Sequence, residues 1–329
     1  MRRVSVYKTV WLLKAPFRIT GVTFEEVEPV VVEIEEGGVV GRGEGIGVYY
    51  LNETSKSLLD EIEKVRGSIE AGLSRQELLE AMPASGARNA IDCALWDLEG
   101  KINGKSVSEL TGIDLKPVQT VATIGLEATP EAMAEKAIAA TTFKNLKVKL
   151  NGDQPVERMR AIREARPDAT LVIDANQGFT IEQLTEVLPA FVDLGVAMVE
   201  QPLPRGQDDD LDGFRSPIPL CADESCLHRG ELPAALSKYD MINIKLDKTG
   251  GLTEALALVE AAKQADKTLM VGNMIGTSLS MMPALYVAQY CDFVDLDGPL
   301  HLRDDYREGL TYSDGYAHPP RHKFWGGSQ

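Results

Sequence analysis

The feature that most limits what this chain can fold into is a repeat. Eight short apolar segments, each closing on polar or charged residues, recur from residue 120 onward. They read TVATIG (120–125), LKVKL (146–150), LVIDAN (171–176), MVEQP (198–202), PLCADES (219–225), MINIKLDK (241–248), LMVGNM (269–274) and FVDLDG (293–298). Measured at Thr123, Lys147, Asp174, Glu200, Asp223, Lys245, Asn273 and Asp295, the gaps are 24, 27, 26, 23, 22, 28 and 22 residues. That spacing accommodates one strand, one helix and two short loops. Runs that are apolar throughout suit parallel strands covered on both faces, and eight such units close a (β/α)8-type TIM barrel.

The residues before the repeat have a different texture. Residues 4–13 and 30–34 are rich in strand formers, and residues 39–47 (VVGRGEGIG) follow a Gly37-Gly38 turn, the signature of a hairpin. Helical patterns then cover 55–69, 74–81 and 85–103. The expected organisation is an α+β capping domain over 1–115, a barrel domain over 116–302 with an altered last helix, and a C-terminal segment, 303–329, returning to the capping domain. GRGEGIG contains GxGxG but opens no helix, which argues against a dinucleotide site. DDDLD (208–212) reads as a solvated loop before a helix.

Composition excludes several classes of function. A formal charge of −16 repels phosphate backbones, and no basic patch offsets it, so no nucleic-acid partner is expected. No run approaches the roughly 18 apolar residues of a membrane span, so no membrane partner is expected. Residues 4–13, after a basic start, read as a strand rather than a signal peptide, which makes the cytoplasm the expected compartment. Cys93, Cys221, Cys226 and Cys291 form no CxxC and read as buried thiols. His228, His301, His318 and His322 form no HExxH pair, which argues against zinc.

The chemistry concentrates at the strand ends, which meet in one mouth in such a barrel. Those ends carry Lys147, Lys149, Asp174, Glu200, Asp223, Lys245, Asp295 and Asp297. Any one acid is better explained by a helix cap. Three on successive strands, with lysines on either side, are not. Three converging carboxylates repel one another, and a hard divalent cation such as Mg2+ resolves that conflict. Lys147 and Lys149, two apart, point to one side of their strand. A lysine crowded by apolar walls and cations loses proton affinity and becomes a base near neutral pH.

Taken together, KVK (147–149), DAN (174–176), EQP (200–202), ADES (222–225), INIKLDKTGG (242–251) and DLDGP (295–299) resemble the enolase superfamily. The likeness is greatest to the muconate-lactonising subgroup and, within it, the L-Ala-D/L-Glu (dipeptide) epimerases. RNAIDCALWDLEGK (88–101) is similar to that subgroup's linker helix.

This resemblance implies one Mg2+ held by Asp174, Glu200 and Asp223, with Lys149 and Lys245 as the paired acid and base. It implies that Lys147 and Thr123 contact the substrate and that Asp295 and Asp297 hold the ammonium group of a dipeptide. The alternatives within the superfamily are N-acylamino acid racemase, o-succinylbenzoate synthase and cycloisomerase. The aspartate pair argues against them, since an acylated nitrogen carries no charge to hold. The resemblance also points to a homo-oligomer, a state not legible in the sequence itself. Family members that act on a C-terminal glutamate carry an arginine where this chain has Gly21 and Val22, so the expected second residue is neutral or hydrophobic.

Overall fold

The structure is a computed structural model that describes residues 2–320 and 323–327, so His322 lies outside the described residues. In the N-terminal unit β1 (Arg3–Lys8), β4 (Val30–Glu36) and β5 (Val39–Gly45) form an antiparallel sheet. The β4–β5 hairpin turns through Gly37 and Gly38, at φ 61° and 83°, a conformation glycine adopts without penalty. Three helices cover the sheet: α1 (Ser55–Glu70), α2 (Arg75–Ala81) and α3 (Gly86–Asn103). Thr54, Ser74 and Ser85 cap them by accepting from the third residue's N–H.

Residues 4–13 are not one strand. The chain breaks at Thr9-Val10, and β2 (Trp11–Ile19) pairs with β3 (Val22–Val27) in a separate two-stranded hairpin. Its register slips between Leu12 and Phe17, around Pro16, which has no N–H to donate to the ladder.

After α4 (Val107–Thr111) and the short β6 (Val118–Gln119), eight parallel strands follow in sequential order. They are β7 (Val121–Ile124), β8 (Asn145–Lys149), β9 (Thr170–Asp174), β10 (Val196–Glu200), β11 (Leu220–Ala222), β12 (Met241–Ile244), β13 (Thr268–Val271) and β14 (Phe293–Val294). Side chains complete the barrel between its first and last strands. Thr120 Oγ1 donates to Val294 O and accepts from Leu296 N, while Thr123 N donates to Asp297 Oδ2.

The outer helices are α5 (Pro130–Ala139), α6 (Pro155–Ala165), α7 (Ile181–Asp193), α8 (Leu232–Ala235), α9 (Leu246–Thr249), α10 (Leu252–Gln264), α11 (Ser278–Ala288) and α12 (Gly298–His301). The last of these is one turn long, as the altered last helix anticipates. The unit after β10 departs from the expected pattern, because only a 3-10 turn, Asp209–Leu211, stands where a helix was anticipated. Pro202, Pro204, Pro217 and Pro219 in that stretch remove the donors a helix needs. DDDLD is also less solvated than expected. Asp209 is exposed, but Asp208 is buried, accepting from Tyr239 Oη at 2.8 Å and from Lys238 Nζ at 3.1 Å.

Strand alternation sorts the barrel into layers. Val121, Val172, Met198, Cys221, Met241 and Met270 pack together as the apolar interior. Two residues further along the same inward face stand Thr123, Asp174, Glu200, Asp223, Asn243 and Gly272. The intervening residues, such as Val148, Ile173 and Val199, face the helices. β15 (Thr311–Ser313) pairs with β16 (Tyr316–His318), which pairs with β6, and the chain then reaches the N-terminal unit. There Trp325 Nε1 donates to Arg42 O, and Gly326 N to Asp97 Oδ1. The four cysteines are free, three of them buried and Cys291 only half-buried, so the expectation of four buried thiols needs that correction. Among the described residues no helix is long and apolar enough to cross a membrane.

Candidate active site

The inward alternation delivers a layer of charge to the mouth. Lys147 and Lys149 leave β8 on one side and are both buried. Lys147 Nζ stands 3.0 Å from Asp174 Oδ2, 2.9 Å from Glu200 Oε2 and 2.7 Å from Asp295 Oδ2. Lys149 Nζ donates to Asp174 Oδ2 at 2.6 Å. From the opposite wall Lys245, just past β12, donates to Asp223 Oδ2 and stands 3.9 Å from Glu200 Oε1. Gly272 leaves room for it, since a Cβ there would lie 2.8 Å from Lys245 Cε.

Several members of this cluster were not singled out in the sequence. Lys248, one turn past Lys245 on α9, donates to Asp223 Oδ1 at 2.8 Å and to its carbonyl at 2.6 Å. Asn243 Nδ2 donates to Glu200 Oε1 at 2.7 Å. Gln201, at φ 37°, accepts from Asp223 N and Ser225 N and so fixes the Asp223 turn. A non-glycine residue keeps that backbone only where its surroundings over-determine it. Glu224 is buried with both carboxylate oxygens lacking a hydrogen-bond partner. The signal for Gln201, Glu224 and Lys248 lay within the EQP, ADES and KLDK strings already noticed.

Asp295 and Asp297 also reach the mouth, already engaged. Asp295 accepts from Lys147 and, at 3.1 Å, from Asn273 Nδ2. Asp297 Oδ2 accepts from Thr123 N at 2.7 Å and lies 3.3 Å from His301 Nε2.

Electrostatics correct one expectation. Burial by itself strips a lysine of its proton, yet Asp223, Glu200 and Asp174 outweigh it at Lys245 and raise its pKa. Lys147 is likewise held protonated, by Asp174, Asp295 and Glu200. The neighbours are carboxylates rather than cations, so the sign reverses. Asp174 and Asp223 are pushed up by burial but pulled further down by lysines, and both stay ionised. Burial and the flanking aspartates push Glu200 up to about 7 and Glu224 up to about 8.

These opposite shifts express a surplus of negative charge. Asp174, Glu200, Asp223, Glu224, Asp295 and Asp297 face Lys147, Lys149, Lys245 and Lys248, with His301 beside Asp297. The six carboxyl groups outnumber the four ammonium groups even with the His301 imidazole counted.

The three carboxylates do not close on one point, because lysine ammonium groups stand between them. Among the described residues no three His, Cys, Asp or Glu side chains are gathered closely enough to hold an ion. The donor set nevertheless fits a hard divalent cation. It is all oxygen, its carboxyl groups outnumber the cationic groups facing them, and Glu200 Oε2 is buried with Lys147 at 2.9 Å yet accepts no hydrogen bond.

Comparison with known proteins agrees with this architecture. Residues 131–323 match the enolase C-terminal domain-like family, and residues 1–112 match the mandelate racemase / muconate lactonizing enzyme N-terminal domain. The chain is 44% identical to the L-Ala-D/L-Glu epimerase of Escherichia coli (strain K12), over 97% of this chain and 100% of that one. An enolase family member from Agrobacterium tumefaciens with homology to dipeptide epimerases, solved with sodium and L-Ala-L-Glu, superposes with a TM-score of 0.96. It is 39% identical and covers 99% of this chain and 100% of its own. The dipeptide epimerase of Cytophaga hutchinsonii, solved with Mg and D-Ala-L-Val, gives 0.90 at 28% identity, covering 97% and 93%. Since these matches take in the N-terminal unit and the barrel alike, the chain belongs to the mandelate racemase / muconate lactonizing enzyme family of the enolase superfamily.

Proposed function

We propose that this protein is a Mg2+-dependent dipeptide epimerase that inverts the α-carbon of the second residue by moving one proton across it. The observation that carries this reading is the placement of Lys149 and Lys245 on opposite barrel walls, four strands apart in a sheet of eight, lining one cleft. A single lysine returns a proton to the face it came from. Two that face each other remove it on one side and restore it on the other. In this reading the barrel, residues 116–302, carries the chemistry, the capping domain, 1–115, covers the mouth, and 303–329 ties the two together. The free thiols favour the cytoplasm.

Asp174, Glu200 and Asp223 would hold the Mg2+. When bound it supplies Lewis-acid stabilisation to carboxylate oxygens as the ene-diolate charge develops. The chain's own groups do the rest. Lys147, beside Thr123 in register, anchors the substrate carboxylate with a fixed positive charge. Lys149 and Lys245 alternate as acid and base, the pair needing one proton between them. Asp295 and Asp297 receive the α-ammonium group, exchanging their present donors for it. Burial of all of these strengthens each charge interaction by excluding water.

The test is α-proton exchange in deuterium oxide. Lys149→Ala and Lys245→Ala should each abolish epimerisation, with each variant still exchanging the α-proton of one stereoisomer, and of opposite isomers in the two variants. Exchange of the same isomer by both variants would overturn the assignment.

A further inference from the structure

Asp297 stands at the N-cap of α12, where an aspartate ordinarily accepts from the N–H of the second or third helical residue. Here its side chain caps nothing. The second position is Pro299, which has no N–H, and Leu300 N donates to the Asp297 carbonyl at 2.9 Å. The carboxylate is engaged elsewhere: Oδ2 accepts from Thr123 N at 2.7 Å and lies 3.3 Å from His301 Nε2. His301 closes the single turn of α12 and is half-buried against the Phe17 ring, with 4.9 Å between centroids. We propose that His301 is a positioning residue of the site for the dipeptide ammonium group: its imidazolium answers the Asp297 charge in the free enzyme and gives up its proton when that group arrives. The proposal rests on the epimerase reading, which puts the ammonium group at Asp295 and Asp297.

The surroundings of His301 leave that exchange to Asp297. Among the described residues Asp297 is the one carboxylate within ion-pair distance of the imidazole. Asp295, the other acid facing it, has Lys147 Nζ at 2.7 Å. The cation facing it is Lys14 on β2, whose Nζ donates to Leu300 O at 2.9 Å. The other cations of these segments are engaged, Arg18 with Glu127 at 3.7 Å and Arg303 Nε with Leu13 O at 2.9 Å. Two cations brought to one carboxylate repel each other. Of an ammonium group and an imidazolium, the imidazolium is the one that discharges readily near neutral pH.

The electrostatics of the free site agree with this geometry. Burial opposes the imidazolium, but Asp297, helped by Asp295, outweighs burial and Lys14 and holds His301 above its ordinary value. An ammonium group against Asp297 cancels that attraction. What remains is burial and Lys14, and both favour the neutral ring. Binding and loss of the His301 proton are therefore linked, and dipeptide affinity falls as pH drops through the pKa of the free site. The dipeptide's own amine stays charged over that range, since an α-amino group titrates only near 8. Asp297 is held down to about 2, so it remains the fixed charge for which the two cations compete.

The experiment follows the histidine ring protons by NMR in the Mg2+-loaded full chain, isotopically labelled at histidine, free and saturated with L-Ala-L-Phe or L-Ala-L-Glu. The chain has four histidines, and the His301 resonance is the one missing from His301→Asn. Its titration midpoint should lie above the ordinary histidine value in the free enzyme and fall by roughly one pH unit or more on saturation. From about pH 7 down to about pH 5.5, the calorimetric Kd and the KM for α-proton exchange in deuterium oxide should rise roughly tenfold more in the parent than in His301→Asn, with kcat alike in the two. Where His301→Asn does not fold, His301→Gln takes its place. A midpoint that stays or rises on binding, or the same pH dependence of Kd in parent and variant, overturns the inference, while α-proton exchange keeps the epimerase reading. The downward shift without exchange supports the inference and overturns the epimerase reading. Binding of neither dipeptide overturns both.

Discussion

Glu200 sits where three requirements meet. It is fully buried, it stands beside Asp174 in register on the neighbouring strand, and one of its oxygens accepts no hydrogen bond. A carboxylate so placed is stabilised only by positive charge, and Lys147 at 2.9 Å serves as the partner in this arrangement. A divalent cation answers the same need with twice the charge and no hydrogen-bond geometry to satisfy. Glu200→Gln removes one ligand charge and keeps the shape, so Mg2+ affinity measured by calorimetry should fall beyond the roughly 10–100-fold lost on deleting an outer-sphere partner. Turnover should fall with it, and thermal unfolding should show the fold retained. Undiminished Mg2+ binding by this variant would remove Glu200 from the ligand set. The positions of Asp174, Glu200, Asp223 and the three lysines were legible in the sequence, because strand alternation is a period-two rule and the strand ends are punctuated. Proton affinities were not, because they depend on distances. The sequence places Lys245 among charges without saying that carboxylates stand nearest, and the sign of its shift turns on that.

At the scale of elements, GRGEGIG finds its meaning in packing. β5 lies so close to α3 that a Cβ on Gly41, Gly43 or Gly45 would stand 2.3, 2.1 or 2.0 Å from a helix carbonyl oxygen. No side chain can yield there, because the obstacle is backbone. Gly43→Ala must push the helix off the sheet and should destabilise by at least the roughly 1–3 kcal/mol typical of overpacking. Gly67, exposed in the last turn of α1 with nothing within 4 Å of a built Cβ, is the converse case. Gly67→Ala should stabilise by about 0.5–1 kcal/mol, since it only removes backbone freedom from the unfolded chain. Urea unfolding of the two variants checks both signs, and a neutral Gly43→Ala would mean that α3 has slack the geometry denies it. The hairpin at Gly37-Gly38 was readable because it needs left-handed residues at known places. The β2–β3 hairpin was not, because two exposed strands interrupted by Pro16 carry neither clean alternation nor a strong turn pair. The absent helix after β10 was hidden for the opposite reason, in that the regular period overrode four prolines that argued against it.

At the scale of the whole molecule, the capping unit and the barrel are joined through buried polar groups as well as apolar contact. α3 supplies Arg88, which donates to Gly250 O at 2.9 Å and Thr249 O at 2.6 Å, and Asn89, which donates to Asp247 Oδ1 at 2.8 Å. Asp247 also accepts from Ile46 N at 2.8 Å, two residues along the chain from Lys245. On the other side of β5, Glu44 accepts from Thr277 N at 2.9 Å and Thr277 Oγ1 at 2.7 Å, across the same seam. Burial pushes Glu44 up to about 7, against the opposing hydrogen bonds from Thr277 and Ser280. A carboxyl whose folded pKa is raised favours the folded state fully below its unfolded value, near 4.3, and that contribution is lost as pH rises through about 7. Above that pH the seam holds a buried charge with no cation among its hydrogen-bond partners. Glu44→Gln has nearly the same shape and cannot ionise. Its melting temperature relative to the parent protein should therefore climb from pH 5 to pH 7 and level off above it. The full span corresponds to roughly 3 kcal/mol, at about 1.4 kcal/mol for each unit of pKa shift. Asp247 titrates in the same direction in both proteins, so it largely cancels from the difference. A difference that stays flat from pH 5 to pH 8 would mean that Glu44 keeps its proton, or its charge, throughout, and that the seam between the two units is not pH-sensitive through this residue.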